Sequence, residues 1–142
     1  IHKNLKGLKW ISKYNQNPQV EINTIKNAIQ RIDNDDREKI LITHYQFIST
    51  ILNKNLNILN RWYLWDNNTH PTENHKYFEF YKKMVNKNLI NNKVKVIYLL
   101  GQENEILFDN VKNYFTGVCF KSKTLEKNKF SLHEVINCKK LK

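Results

Sequence analysis

The sequence predicts a three-layer α/β/α domain with a small, mainly parallel sheet. Three observations point there. Two continuous apolar runs, Lys39 to His44 and Val94 to Leu100, are too short for helices and rich enough in isoleucine, valine and leucine to read as strands buried on both faces. Each leads into a helical pattern, as an α/β unit requires, and a longer segment of helical period lies between them. Right-handed crossovers would then put the longest helices on both faces of the sheet.

Residues 1 to 16 carry Leu5, Leu8, Trp10 and Ile11 without a period, so an extended arm with one short strand near Leu8 to Ser12 is expected. The first helix is announced by Asn17 as cap, Pro18 at the first position and Glu21 in the first turn; Ile22, Ile25, Ile29 and Ile32 form its stripe to about Asn34. Asp33 to Asp36 turn the chain into the strand at 38 to 44. A second helix over 45 to 54 places Phe47, Ile48, Ile51 and Leu52 inward. Thr72 can cap a third helix to Asn91, with Tyr77, Tyr81, Met84, Val85 and Leu89 buried. The strand at 94 to 100 closes on Gly101, and a helix over 103 to 112 leads to a third strand at 117 to 121. Ser131 and Glu134 have the spacing of a capping box and predict a short terminal helix.

Composition narrows the function classes. With 142 residues the chain is about one domain, long enough to bury roughly two thirds of its unfolded surface. No apolar run approaches the roughly 20 residues that cross a bilayer, and no basic-then-apolar leader opens the chain, so a soluble piece is expected. It begins with Ile1, which suggests a fragment of a longer protein. The net charge of +11 raises nucleic acid as a partner, but only Arg31, Arg37 and Arg61 are arginine. Scattered lysine with abundant asparagine and isoleucine reflects an AT-rich genome rather than a base-reading surface, and no specific nucleic-acid partner is expected. Attraction to anionic lipid head groups is at least as well supported. Cys119 and Cys138 are too few for a disulfide scaffold; they read first as small buried hydrophobes, and a single disulfide in an oxidising compartment stays open.

Standard catalytic signatures are missing. There is no Gly-x-Gly-x-x-Gly, phosphate loop, Gly-x-Ser-x-Gly or Cys-x-x-Cys, and Gly7, Gly101 and Gly117 are the whole glycine supply. No cofactor is expected. Ligands of open α/β sheets collect where strands end, which singles out Thr43, His44 and Tyr45. His44 could act as a general base with Tyr45 as donor, but the residues favour a half-buried histidine that fixes the strand-to-helix turn. Asp66, His70, Glu73 and His75 could bind a divalent metal, yet lack any recognised ligand spacing, and no metal is expected. Arg61, Trp62, Tyr63, Trp65 and Asp66 suit recognition better than catalysis: rings stack on sugar faces or bury in a partner, and arginine forks phosphate or carboxylate. A lid folded over the sheet is the simpler reading of those rings. The loop from Arg61 to Pro71 is still where specific recognition is expected.

The block Ile42-Thr43-His44-Tyr45-Gln46-Phe47, then Asn60-Arg61-Trp62-Tyr63 with an acidic residue soon after, Lys76-Tyr77-Phe78 and Lys93-Val94-Lys95-Val96-Ile97-Tyr98 resembles the C-terminal soluble domain of certain polytopic membrane proteins. These glycosyltransferase-like (oligosaccharyltransferase or mannosyltransferase type) or uncharacterised proteins come from AT-rich marine bacteria. The resemblance spans about half of the chain and carries no catalytic motif. It implies a non-catalytic accessory or recognition domain beside a parent membrane domain, on the periplasmic side, with glycan or lipid head groups as further partners. Two other readings stay open: a free-standing α/β enzyme acting on a small or sugar-containing substrate through His44, and a structural or partner-binding module. A deep polar pocket at the strand ends near 44, 101 and 120 would favour the enzyme.

Overall fold

The first helix forms where cap, proline and apolar stripe coincide. In α1 (Pro18–Asp33) the Asn17 Oδ1 accepts from the Gln19 N–H at 2.9 Å, Pro18 occupies the first turn, and Ile25, Ala28 and Ile32 are buried. The computed structural model describes residue 7 and residues 17–60, 70–101 and 104–138; the expected strand near Leu8 to Ser12 lies outside them. After α1 come β1 (Lys39–Thr43), the six-residue α2 (Phe47–Leu52), α3 (Phe78–Asn91), β2 (Val96–Leu100), α4 (Asn104–Val111) with a 3-10 turn (Lys112–Tyr114), β3 (Cys119–Glu126) and β4 (Phe130–Ile136).

The four strands form one sheet in the order β1-β2-β4-β3. β1 and β2 are parallel, with Ile40 opposite Ile97. β4 then runs antiparallel to β2, with His133 opposite Ile97, and β3 runs antiparallel to β4, with Ser122 opposite His133. The sheet is therefore mixed, and the mainly parallel expectation is corrected: among the described strands the β1–β2 pairing alone is parallel. The error traces to Ser131-Leu132-His133-Glu134. Its capping-box spacing points to a helix, but Phe130 and Leu132 alternate with Ser131 and His133, and a strand buries both pairs. The third strand is also longer than its expected 117 to 121, and it is an edge.

Two clusters of buried side chains tie the helices to the strands. Ile40, Ile42, Ile97 and Leu99 pack with Phe78, Val85 and Leu89 of α3 and Leu107, Phe108 and Val111 of α4. Leu41, Val96, Tyr98, Leu100, Phe130 and Leu132 pack with Ile25, Ala28 and Ile32 of α1 and Ile48 of α2. Both β1 and β2 are buried along their whole length, as continuous apolar runs require. The outer edge of β1 is covered too, because Leu41 N–H donates to the Leu56 carbonyl at 3.0 Å and Asn57 Nδ2 donates to that of Lys39 at 3.0 Å. α3 begins later than the expected residue 72, and Tyr77 and Met84, expected inside, are exposed.

Cys119 and Cys138 are joined in a disulfide, with Cα atoms 4.9 Å apart. The reading as two buried free thiols is corrected: Cys119 is only half-buried and Cys138 is exposed. The antiparallel hairpin brings the start of β3 beside the end of β4, which is what lets residues 19 apart in sequence meet.

Candidate functional site

The carboxyl end of β1 holds the three residues that strand-end logic selects. Thr43 is buried, and its Oγ1 accepts from the Tyr45 N–H at 3.0 Å. The Tyr45 hydroxyl donates to Glu21 Oε1 on α1, so Glu21, expected to serve the helix dipole, is instead turned inward and buried. His44 is half-buried beside Tyr45, ring centroids 4.0 Å apart. A Cβ on Gly101 would lie 3.2 Å from His44 Cε1 and Nδ1, and the φ of 154° there also suits glycine, so His44 is seated directly on the end of β2. Burial lowers the His44 pKa, against the opposing field of Glu21, which keeps the imidazole neutral.

That arrangement fixes a turn. Gln46 Nε2 donates to the Thr43 carbonyl at 2.7 Å and Gln46 N–H to the His44 carbonyl at 3.0 Å, launching α2. Because β4 is antiparallel, Phe130 rather than another strand's carboxyl end stands beside Leu100, and Gly101 N–H donates to the Lys129 carbonyl at 2.9 Å. The crevice logic needs parallel neighbours, and here it loses one of them.

At the opposite, amino end of the parallel pair lies an open polar cleft of ≈ 600 Å³. The C-termini of α1, α2 and α3 converge on it, and lysines cap two backbone carbonyls there: Lys39 Nζ donates to Asp35 O at 2.5 Å and Lys54 Nζ to Asp33 O at 3.1 Å. Asn57 and Lys93 on the wall, and Asn53 just ahead of it, have φ near 50°, each beside a chain reversal. Asn55, Asn91 and Asn92 add amides, Asp36 and Glu38 carboxylates, and Lys93 an ammonium. Asp35 and Arg37 also line the cleft: Asp35 accepts from Arg37 at 2.8 and 2.9 Å and from the Tyr98 hydroxyl at 2.6 Å, while Arg37 also reaches Glu134 at 2.9 Å. Burial opposes ionisation of Asp35, but the bonds from Arg37 and Tyr98 outweigh it and hold the carboxyl far below its usual range; burial and Asp35 push the Tyr98 phenol up to about 12.

No known protein family, curated protein or solved structure matches this chain. Function must come from its own side chains.

Arg61, Trp62, Tyr63, Trp65 and Asp66 lie outside the described residues. Just beyond them, the Tyr114 hydroxyl donates to the Pro71 carbonyl and His70 is buried edge-on to the Tyr114 ring. Glu73 accepts from Asn113 Nδ2 at 2.6 Å, and His75 Nδ1 accepts from the Tyr77 N–H at 3.2 Å. Among the described residues no group of three or more His, Cys, Asp or Glu is placed to hold a metal.

One constellation was missed by sequence reasoning. His133 is buried, its Nδ1 2.7 Å from Ser122 Oγ and its Nε2 2.9 Å from Ser131 Oγ, and its ring stacks on Phe108 with centroids 3.5 Å apart. Burial lowers its pKa to about 4, with Asp109 opposing. The signal was the alternation Phe130-Ser131-Leu132-His133, which the capping-box reading masked. Ser122 is exposed, yet an imidazole this hard to protonate is a weak base, so the trio acts first as a polar clasp between β3 and β4.

Proposed function

We propose that the chain is a non-catalytic recognition domain, the accessory part of a membrane-embedded glycosyltransferase-like protein, and that its amino-end cleft takes a hydroxyl-rich ligand such as a saccharide. The cleft carries the reading. Amides, carboxylates and ammonium groups alternate around it, which suits hydroxyls that each donate and accept, and its lining includes no serine, cysteine, histidine or tyrosine. Two further features support the proposal. Thr43, His44 and Tyr45 are engaged in holding the strand-to-helix turn. The disulfide fits an oxidising compartment such as the periplasm, because such bonds are rare where thiols are kept reduced. No described helix is long and apolar enough to cross a membrane.

The rival reading, an enzyme with His44 as base, draws on the neutral imidazole at the strand end. One pair of assays separates them. Titration of the 142-residue chain with neutral and acidic oligosaccharides, followed by amide NMR, should move resonances around Asp36, Asn92 and Lys93. Asp36→Asn and Lys93→Asn should each weaken binding about five- to tenfold, the second keeping a residue that tolerates positive φ. Turnover of a nucleotide sugar or lipid-linked sugar by the same chain, lost in His44→Ala, would replace the recognition domain with the enzyme.

A further inference from the structure

The outward face of α3 carries apolar side chains that the fold does not use. Phe80 is 73% exposed, Ile90 69% and Met84 42%, and Tyr77 just ahead of the helix is 56% exposed. At 100° per residue Phe80, Met84, Lys83, Lys87 and Ile90 fall on the arc opposite Phe78, Val85 and Leu89, which face the core. The helix thus has two apolar faces. One packs on the sheet; the other stands in water, interleaved with cations.

Charge decides what covers it. Lys83 and Lys87 lie among the exposed apolar groups, and Lys76 sits at the near end with its ammonium 4.8 Å from the Tyr77 ring centre. The helix has one acid, Glu79, whose carboxylate lies 3.8 Å from Lys82. A second copy of this chain would set Lys83 and Lys87 against their own kind. A nucleic acid would meet the cations but leave Met84 and Ile90 without apolar contact. An anionic bilayer surface satisfies both chemistries at once: rings and aliphatic groups enter the acyl boundary while lysine stems reach back to phosphates.

We propose that this face of α3 docks on an anionic lipid surface, with Phe80, Met84 and Ile90 dipping below the head groups and Lys76, Lys83 and Lys87 lying among them. The helix would rest in the interface plane. The net charge of +11 steers the approach, and the apolar residues give the contact its specific face. No cleft residue is needed, so this inference stands or falls apart from saccharide recognition.

Sedimentation of the whole chain with vesicles tests it, using phosphatidylcholine alone or mixed with phosphatidylglycerol. Binding is expected only with phosphatidylglycerol and should weaken as salt rises. Lys83→Gln and Lys87→Gln should each reduce the partition coefficient about fivefold. The pair Phe80→Ala and Ile90→Ala should reduce it more than tenfold and leave a residual binding that salt abolishes. Both variants alter exposed positions, and circular dichroism verifies that they fold. Four results would overturn the proposal: equal binding to neutral vesicles, unchanged binding after Phe80→Ala with Ile90→Ala, an equal loss from Lys121→Gln with Lys123→Gln on β3, or a dimer dissolved by Phe80→Ala, which would assign the face to self-association instead.

Discussion

Two side chains whose ionisation the fold controls show how much of this molecule is decided one residue at a time. Asp35 receives hydrogen bonds from Arg37 and Tyr98, so its folded carboxyl ionises at lower pH than the 3.8 of a free side chain. The stabilisation it contributes is complete above that ordinary value and is lost as pH falls below it. Asp35→Asn should cost about 2 kcal/mol at neutral pH, read by urea denaturation, and should flatten the acid limb of the stability profile. His133 loses stability over a higher range. Burial depresses its pKa from 6.5 to about 4, so the unfolded chain takes up the proton first and stability declines as pH drops from 6.5 toward 4. His133→Gln should remove that slope, and the imidazole resonances of the native protein should report a neutral ring at pH 5.5. Neither role was visible in the one-dimensional pattern. Asp35 read as a turn residue and His133 as part of a helix cap, because partners 63 and 11 positions away define what they do.

Elements differ in how much they owe to local chemistry. α1 was legible almost to the residue because its cap, proline and stripe are all encoded within its own span. Asn17→Ala should lower stability by about 1 kcal/mol, measured by thermal or urea unfolding. β1 and β2 were legible for another reason: burial on both faces leaves an uninterrupted apolar run whatever the neighbours are, and Ile97→Ala should cost about 3 kcal/mol by the same measurement. The β3–β4 hairpin was legible only in its first strand, part of which falls within the expected 117 to 121. β3 is half-exposed with Lys121 and Lys123 along its edge, and its identity rests on the turn at 127–129, where Asn128 has φ 55°, and on the disulfide that closes the open end. Reduction, or Cys119→Ser with Cys138→Ser, should lower stability by about 3 kcal/mol and fray the start of β3 first, seen as faster amide exchange there.

Across the whole molecule the sheet order sets both stability and the placement of sites. β2 is flanked by a parallel and an antiparallel neighbour and covered on both faces, so its amides from Ile97 to Leu99 should be the slowest to exchange, while outward-facing amides of the β3 edge should be among the fastest of the strands. Native-state hydrogen exchange checks this ranking directly. The same order places an open polar cleft away from the strand end that holds Thr43, His44 and Tyr45. At the carboxyl end of the parallel pair His44 sits on Gly101, and the cleft forms at the amino end, where three helix C-termini meet. The α/β class, the two central strands with their buried apolar residues, and the first helix could be read from the chain alone, since each depends on local spacing and on hydrophobic burial that holds in any arrangement. Tertiary contacts set the direction of the last two strands, the pairing of Cys119 with Cys138, the cleft beside Asp36 and Lys93, and the exposure of Tyr77 and Met84. Those features depend on which distant segments become neighbours, and hydrogen-bond partners across a sheet leave no periodic trace in the chain that supplies them.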